Sequence, residues 1–408
     1  MNLKKYLLPL LTDNELNEKL MQLPMIENVS NMTKSERLIG LHNIYNIFIP
    51  SQLTRDTYYN LYYQLIRSFQ RKEQLFDNNQ FDVNRQIIKG NYKPKGMNGC
   101  DSSLLCGSSG LGKTSSIQRI MEIITDNKNI IIDNPYCEII PILLVEASPI
   151  SSVKGFMFDI LRAIDKILGT NYYNANNRST INSDSLLGAV SNALLLHVGV
   201  LIIDECDRFL TNHKSNTMIN YIVELLNCSG VSVLFVGTTD VINFFQSTPY
   251  LARRSMGTIY MAMEYGEEYI TFLKNLFKYQ YTLKRTELNS EMSRCIYDLT
   301  RGVQSLIVHL FVESQTFALM NNCEKIDVKV IEKAYMKSMS IMTPYLSKEP
   351  TKKTIKNDDL FISFLSNKNN GIDNSFDLFC KVALKGRQRP YEALCELKKH
   401  IKIIEVNL

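Results

Sequence analysis

The sequence predicts an α/β fold: a doubly wound, mainly parallel sheet sandwiched by helices, with a small C-terminal helical lid and an N-terminal helical extension. Three observations carry this. Leu104 to Ile124 (LLCGSSGLGKTSSIQRIMEII) reads as strand, glycine-rich loop and helix in direct succession. Continuous apolar runs at Glu138–Val145, Val198–Ile203 and Val231–Val236 have the character of buried parallel strands, and helical patterns separate them. Beyond about Gly266 the strand signals stop and amphipathic helical periods take over.

Residues 1–35 are polar, interrupted by Pro24, and read as an extended or partly ordered arm. In residues 36–98 two stripes recur at helical spacing, Leu38, Leu41, Tyr45, Phe48 and then Tyr58, Leu61, Tyr62, Leu65, Phe69, with Pro50 between them. A lead-in loop rich in Asn, Lys and Gly follows from Asn78 to Asn98. Residues 99–265 carry the strands. Phe156, Phe158, Ile160, Leu161, Ile164 and Ile167 predict a helix within Ser148–Leu168, and Asp184–His197 predicts another. Residues 266–345 hold the lid patterns Tyr269–Tyr281, Ser290–Leu299, Val303–Leu319 and Val328–Met342. Residues 346–408 form a tail with a last helical stretch at Tyr391–Ile403.

A chain of 408 residues exceeds the size of one core, so two or three domains are expected. The composition, 45% hydrophobic and 21% charged, is globular and marks no enzyme class. Nine scattered cysteines, never in a C-x-x-C pair, argue against a disulfide framework and a zinc module. The N-terminal apolar run breaks at Pro9, which supports neither a signal peptide nor a membrane span. The expectation is a cytoplasmic protein without a membrane partner. Net charge is +5, of which +4 lies in residues 351–408, so a contact with nucleic acid or an acidic partner is one use of the tail and simple solvation the other.

The chemistry begins at Gly107, Gly110, Gly112, Lys113 and Thr114, the pattern of a phosphate-binding loop. Its backbone amides must point inward at phosphates, which glycines permit, and the helix that follows presents its N-terminus to the anion. The phosphate site is expected from Gly107, Ser108, Ser109, Gly110, Leu111, Gly112, Lys113, Thr114 and Ser115. About ninety residues on, the strand ending at Ile203 runs into Asp204-Glu205. Asp204 and Thr114 are the candidate magnesium ligands, and Glu205 is placed to deprotonate an attacking water. The strand ending at Gly237 presents Thr238 and Thr239, either of which can position that water or cap the next helix, with Thr238 favoured. Arg253 and Arg254 are candidates for stabilising charge on a transferring phosphoryl group from a neighbouring subunit, or for ordinary solvated arginines.

This order of elements resembles an AAA+ ATPase. Within that superfamily EASPISSVKGFMFDILRAIDKILGTNY (146–172), LIIDECDRF (201–209), LFVGTTDVINFFQSTPYLARRSMG (234–257) and LTRGVQSLIVHLFVESQTFAL (299–319) resemble the TnsC/TniB transposition regulators, in particular the longer TnsC type of Tn-seven-like elements. The resemblance spans about residues 36–345. It implies an AAA+ P-loop NTPase that binds ATP and Mg2+, assembles with itself as rings or helical filaments on double-stranded DNA, recruits a transposase and receives a target selector of the TniQ/TnsD type. It also implies that Lys113 and Thr114 bind phosphate and magnesium, that Asp204 and Glu205 are the Walker B pair, and that Arg253 or Arg254 acts in trans. Lys154, a charge among small residues, is the expected DNA contact.

Two positions depart from the family pattern. The lid helix starts Gly302-Val303-Gln304-Ser305 without the usual second-sensor arginine, for which Arg301 is one substitute. Cys206-Asp207 stands where relatives carry an apolar residue and Gln. Competing readings are a replication initiator or helicase loader, and a scaffold that binds ATP without hydrolysing it. A protein unfoldase is disfavoured because no aromatic pore loop lies near residues 148–156.

Overall fold

A computed structural model describes residues 3–77, 101–126, 128–133, 136–148, 152–178, 181–211, 215–242, 245 and 255–342. By contacts the chain divides into Met1–Met339 and Ser340–Leu408, and only Ser340–Met342 of the second unit is described. All that follows concerns the first.

Two short helices open the chain, α1 (Asp13–Leu20) and α2 (Lys34–Gly40). Each is started by a capping box, Thr12 with Glu15 and Thr33 with Glu36, in which the threonine oxygen takes an orphan amide and the glutamate reaches back. The expectation for residues 1–35 is an extended or partly ordered arm; the described part of it is ordered, with Leu3, Leu11, Leu16 and Leu20 buried in the core. After a 3-10 turn at Leu41–Asn46 comes α3 (Gln52–Asp77), in which Tyr58, Leu61, Tyr62, Leu65 and Phe69 all face inward as their stripe predicts.

The sheet follows. β1 (Ser102–Gly107) leads into α4 (Lys113–Thr125); β2 (Ile130–Asp133) and β3 (Tyr136–Glu146) pair antiparallel. Helices α5 (Val153–Leu168), α6 (Tyr172–Asn176) and α7 (Ser183–His197) lead to β4 (Val198–Asp204), and α8 (Ser215–Ser229) leads to β5 (Ser232–Gly237). The last described strand is β6 (Ser255–Tyr260). The six described strands lie in the order β2-β3-β4-β5-β1-β6, parallel except for β2. β2 and β6 were not expected: one is four residues long, and the other, SMGTIY, mixes polar and apolar residues without a continuous apolar run.

Period-2 alternation buries both faces of the sheet. Leu104, Cys106, Leu201, Ile203 and Phe235 pack with Phe156, Ile160 and Leu194, whereas Leu105, Val200, Ile202, Leu234 and Val236 pack with Leu61, Leu65, Phe69, Ile117 and Ile120. The helix at Ser148–Leu168 forms as α5, with Phe156, Ile160, Leu161 and Ile164 of its stripe buried, Phe158 partly buried, and Ile167 44% exposed near the C-terminus.

The lid comprises α9 (Glu267–Leu276), α10 (Ser290–Thr300), α11 (Gln304–Met320) and α12 (Val328–Ser338). Its centre is α11, whose Ile307, Leu310, Phe311, Ala318 and Leu319 are buried. No single described helix is long and apolar enough to cross a membrane. The expected loop at 78–98 and the whole tail at 346–408, with its helix at Tyr391–Ile403, lie outside the described residues.

Because α3 is built into the sheet's core, Phe69→Ala should cost about 3–5 kcal/mol in chemical denaturation, the range for a buried aromatic deletion. Phe69 is fully buried.

Candidate functional site

The register of the sheet places the chemistry. β5 lies between β4 and β1, with Cys106 opposite Gly237 and Val145 opposite Ile203. The carboxyl ends of these strands therefore deliver Gly107, Asp204 and Thr238 to one rim, where open α/β sheets place their ligands. A cleft of about 790 Å³ opens there, lined by Ser109, Gly110, Gly112, Lys113, Thr114 and Ser115 of the phosphate loop, by Asp204, Glu205, Asp207 and Thr238, and by lid residues including Gln304, Ser305 and His309.

Gly110 (φ +85°) and Gly112 (φ +78°) hold the loop in left-handed backbone, which glycine enters without steric cost. A Cβ on Gly110 would also overlap the Ser305 hydroxyl, because the start of α11 sits directly on the loop and the Ser305 amide donates to the Gly110 carbonyl at 3.1 Å. No side chain caps α4, so its first-turn amides remain for an anion. Of the expected loop residues, Leu111 turns its side chain into the core, while Gly107 and Ser108 supply carbonyls to the Lys113 ammonium, each at 2.9 Å.

Thr114 Oγ1 donates to Asp204 Oδ2 at 2.6 Å, joining the two expected magnesium ligands across β5. Asp204 is 5% exposed, and burial raises its carboxyl above the usual carboxylate range in spite of the Thr114 hydrogen bond. Burial likewise lowers the Lys113 ammonium, against the pull of Asp204 and Asp207. The charges that would relieve both are a phosphate and a divalent cation. Thr238 Oγ1 is buried and has no hydrogen-bond partner among the described residues, while its amide donates to Asp207 Oδ1 at 3.1 Å. A hard-oxygen pair, an ammonium aimed at the loop and an orphaned hydroxyl fit a magnesium-bound phosphate ester.

Glu205 stands in left-handed backbone (φ 52°), its amide held by Asp204 Oδ1 at 2.8 Å. Its carboxylate pairs with Arg208, which also donates to Glu146 at 2.7 Å and to the Ala147 carbonyl at 3.0 Å. Neither Asp207 nor Arg208 was singled out as part of the site from sequence; Asp207 entered only as a departure from the family pattern. Their position one turn beyond Asp204-Glu205 is the signal that was available. Thr239 is exposed and does not line the cleft, which separates it from Thr238. Arg301 caps α10 in left-handed backbone and does not line the cleft either. Arg253 and Arg254 lie outside the described residues. Lys154, the second residue of α5, donates to the Ile181 carbonyl at 2.7 Å, which uses one of its three ammonium protons.

Asp204 generates a prediction with a definite sign. A carboxyl that holds its proton more tightly when folded lowers stability as pH rises from its unfolded value of about 3.9 toward the folded one, and the deficit persists at neutral pH. Asp204→Asn should therefore melt at a higher temperature than the parent at pH 7 without nucleotide, with the difference vanishing below about pH 4 where both side chains are neutral. The same variant should lose magnesium-dependent nucleotide binding.

Residues 97–245 match the family model for the AAA domain. No curated protein matches the sequence. Among solved structures, Drosophila ORC bound to DNA is similar at 8% identity and TM-score 0.46, over 95% of this chain and 84% of that one. Cdc6p of Pyrobaculum aerophilum is similar at 14% identity and TM-score 0.41, over 79% and 85%. The Thermotoga maritima RuvB branch-migration motor is similar at 17% identity and TM-score 0.33, over 58% and 61%. These are likenesses of chain path alone. Joined with the phosphate loop, the Asp204-Glu205 strand end and the sheet order, the domain match identifies the fold as that of an AAA+ P-loop NTPase, with the AAA domain itself at residues 97–245.

Proposed function

We propose that this chain is an ATP-dependent, DNA-binding regulator of transposition that oligomerises on target DNA and joins a target-selection protein to a transposase. The observation that carries the nucleotide part is the convergence of Lys113, Thr114, Asp204, Glu205 and the unpartnered Thr238 hydroxyl in one cleft under the lid. The resemblance of residues 146–172 and 234–257 to transposition regulators supports the rest.

In this reading the phosphate loop and Lys113 hold the β- and γ-phosphates of ATP, and Thr114 with Asp204 holds Mg2+. The ion, when bound, neutralises charge on the phosphates. Glu205 takes the proton of the attacking water, and the Thr238 hydroxyl, with no partner among the described residues, accepts or donates to that water to aim it. Asp207 keeps the Thr238 backbone in place. Arg253 or Arg254 of a neighbouring copy completes the charge stabilisation, which makes hydrolysis a property of the assembly. Hydrolysis then times how long the assembly persists.

DNA contact is assigned to the start of α5, where Lys154 keeps donors available beyond its bond to Ile181. A phosphate contact of this kind is independent of sequence and weakens with salt.

The test compares lifetimes of the protein on duplex DNA with ATP and with a nonhydrolysable analogue. Assemblies should persist longer with the analogue, and Lys154→Ala should reduce DNA-stimulated assembly while leaving nucleotide binding intact. Equal lifetimes with no phosphate released would favour an ATP-binding scaffold. DNA-stimulated hydrolysis with no response to a transposase encoded beside this gene would favour a replication initiator or helicase loader.

A further inference from the structure

One wall of the nucleotide cleft belongs neither to the sheet nor to the lid. Tyr45, Ile47, Phe48 and Ile49 form it. On either side in sequence the chain is fastened to the core: Leu11, Leu16 and Leu20 before it, Leu53 and Tyr58 after it, all lie in the core beneath the sheet. The two fastened stretches meet where Gln22 and Phe48 exchange amide-to-carbonyl bonds of 2.9 Å in an isolated antiparallel bridge.

Between the ends of that bridge, the excursion from residue 24 to residue 46 is tied to the lid. Arg37 grips both oxygens of Glu324, at 2.7 and 3.0 Å, and donates to the Tyr281 carbonyl at 3.2 Å. Arg37 is only 5% exposed. Glu324 also accepts the Leu283 amide at 3.1 Å, and these bonds, the Arg37 pair first, hold its carboxyl below the usual range. Tyr279 Oη donates to the Pro24 carbonyl at 2.9 Å, Gly40 packs so closely on the Tyr281 ring that a Cβ would overlap it, and Tyr45 Oη bonds His309 Nδ1 at 2.9 Å. His309 itself lines the cleft.

We propose that the partly buried Arg37–Glu324 pair is a positioning element for the bound nucleotide: it makes the excursion and the lid one body, hinged on the Gln22–Phe48 bridge. The Tyr45 end of the wall, on the lid side of that bridge, then moves only with the lid, so that release of nucleotide requires both to open together. The inference rests on reading the cleft as a nucleotide site. A bidentate guanidinium–carboxylate pair suits the task because its two parallel bonds fix orientation as well as distance, which a single lysine bond does not.

The test is the rate at which a fluorescent ATP analogue leaves the full chain in stopped flow. Arg37→Gln and Glu324→Gln should each raise the release rate by about tenfold or more while changing association little, since no group that touches phosphate has been altered. The exchanged pair, Arg37→Glu with Glu324→Arg, should recover part of the loss. Arg37→Lys should release faster than the parent although the charge is kept. Because a broken pair of this kind can compromise folding, Tyr45→Phe gives an independent arm: its hydroxyl sits on a half-exposed side chain, and its loss should also speed release. Folded variants that release the analogue at the parental rate would overturn the proposal. A parent chain that binds no ATP analogue would instead remove the nucleotide reading on which the proposal stands.

Discussion

The hydrogen bond from Thr114 to Asp204 spans the distance on which the whole arrangement depends. One partner lies in the first turn of the helix that follows β1 and the other ends β4, two strands that are not neighbours because β5 lies between them. Only a sheet in this order, with its register fixed by continuous apolar runs buried on both faces, brings a loop residue and a strand-end carboxylate within 2.6 Å. The intervening strand then has one useful position, its tip, and Thr238 fills it. Burial keeps the cost visible: the Asp204 carboxyl is pushed up and the Lys113 ammonium pushed down, so the nucleotide-free cleft is an electrostatically unfavourable place awaiting charges of the opposite arrangement.

The lid and the N-terminal excursion convert that rim into a closed cleft. Ser305 touches the loop itself, where only glycine leaves it room. Arg37 and Tyr45 attach a second wall to the lid by long-range polar contacts. Neither device adds a group to the phosphate site. Both bear on how readily it opens.

What was legible in the sequence was what is local. The phosphate loop, Asp204-Glu205 and Thr238 sit at strand ends that announce themselves by apolar runs, and the α3 and α11 stripes follow a period of 3.6. The order of the first thirty-five residues was hard to read because Leu3, Leu11, Leu16 and Leu20 are spaced irregularly among polar residues and are buried in a core shared with residues of α3 and α4. β2 is too short to show a period, and β6, which pairs with β1, mixes polar and apolar residues without a continuous apolar run. The Arg37–Glu324 and Tyr45–His309 contacts join residues 287 and 264 positions apart, for which a single sequence carries no signal. Asp207 and Arg208 were missed for a different reason: they follow Asp204-Glu205 directly, but only the turn that begins with Glu205 in left-handed backbone brings them to the site.

The central claim is that ATP is bound by one set of groups in this cleft and hydrolysed through another, Glu205. It is tested most directly by Glu205→Gln, measuring nucleotide affinity and phosphate release on the full chain with duplex DNA present. The account predicts affinity close to the parent and phosphate release reduced by about a hundredfold or more, the scale of a lost general base. Phosphate released at the parental rate by a variant that still binds ATP would contradict it.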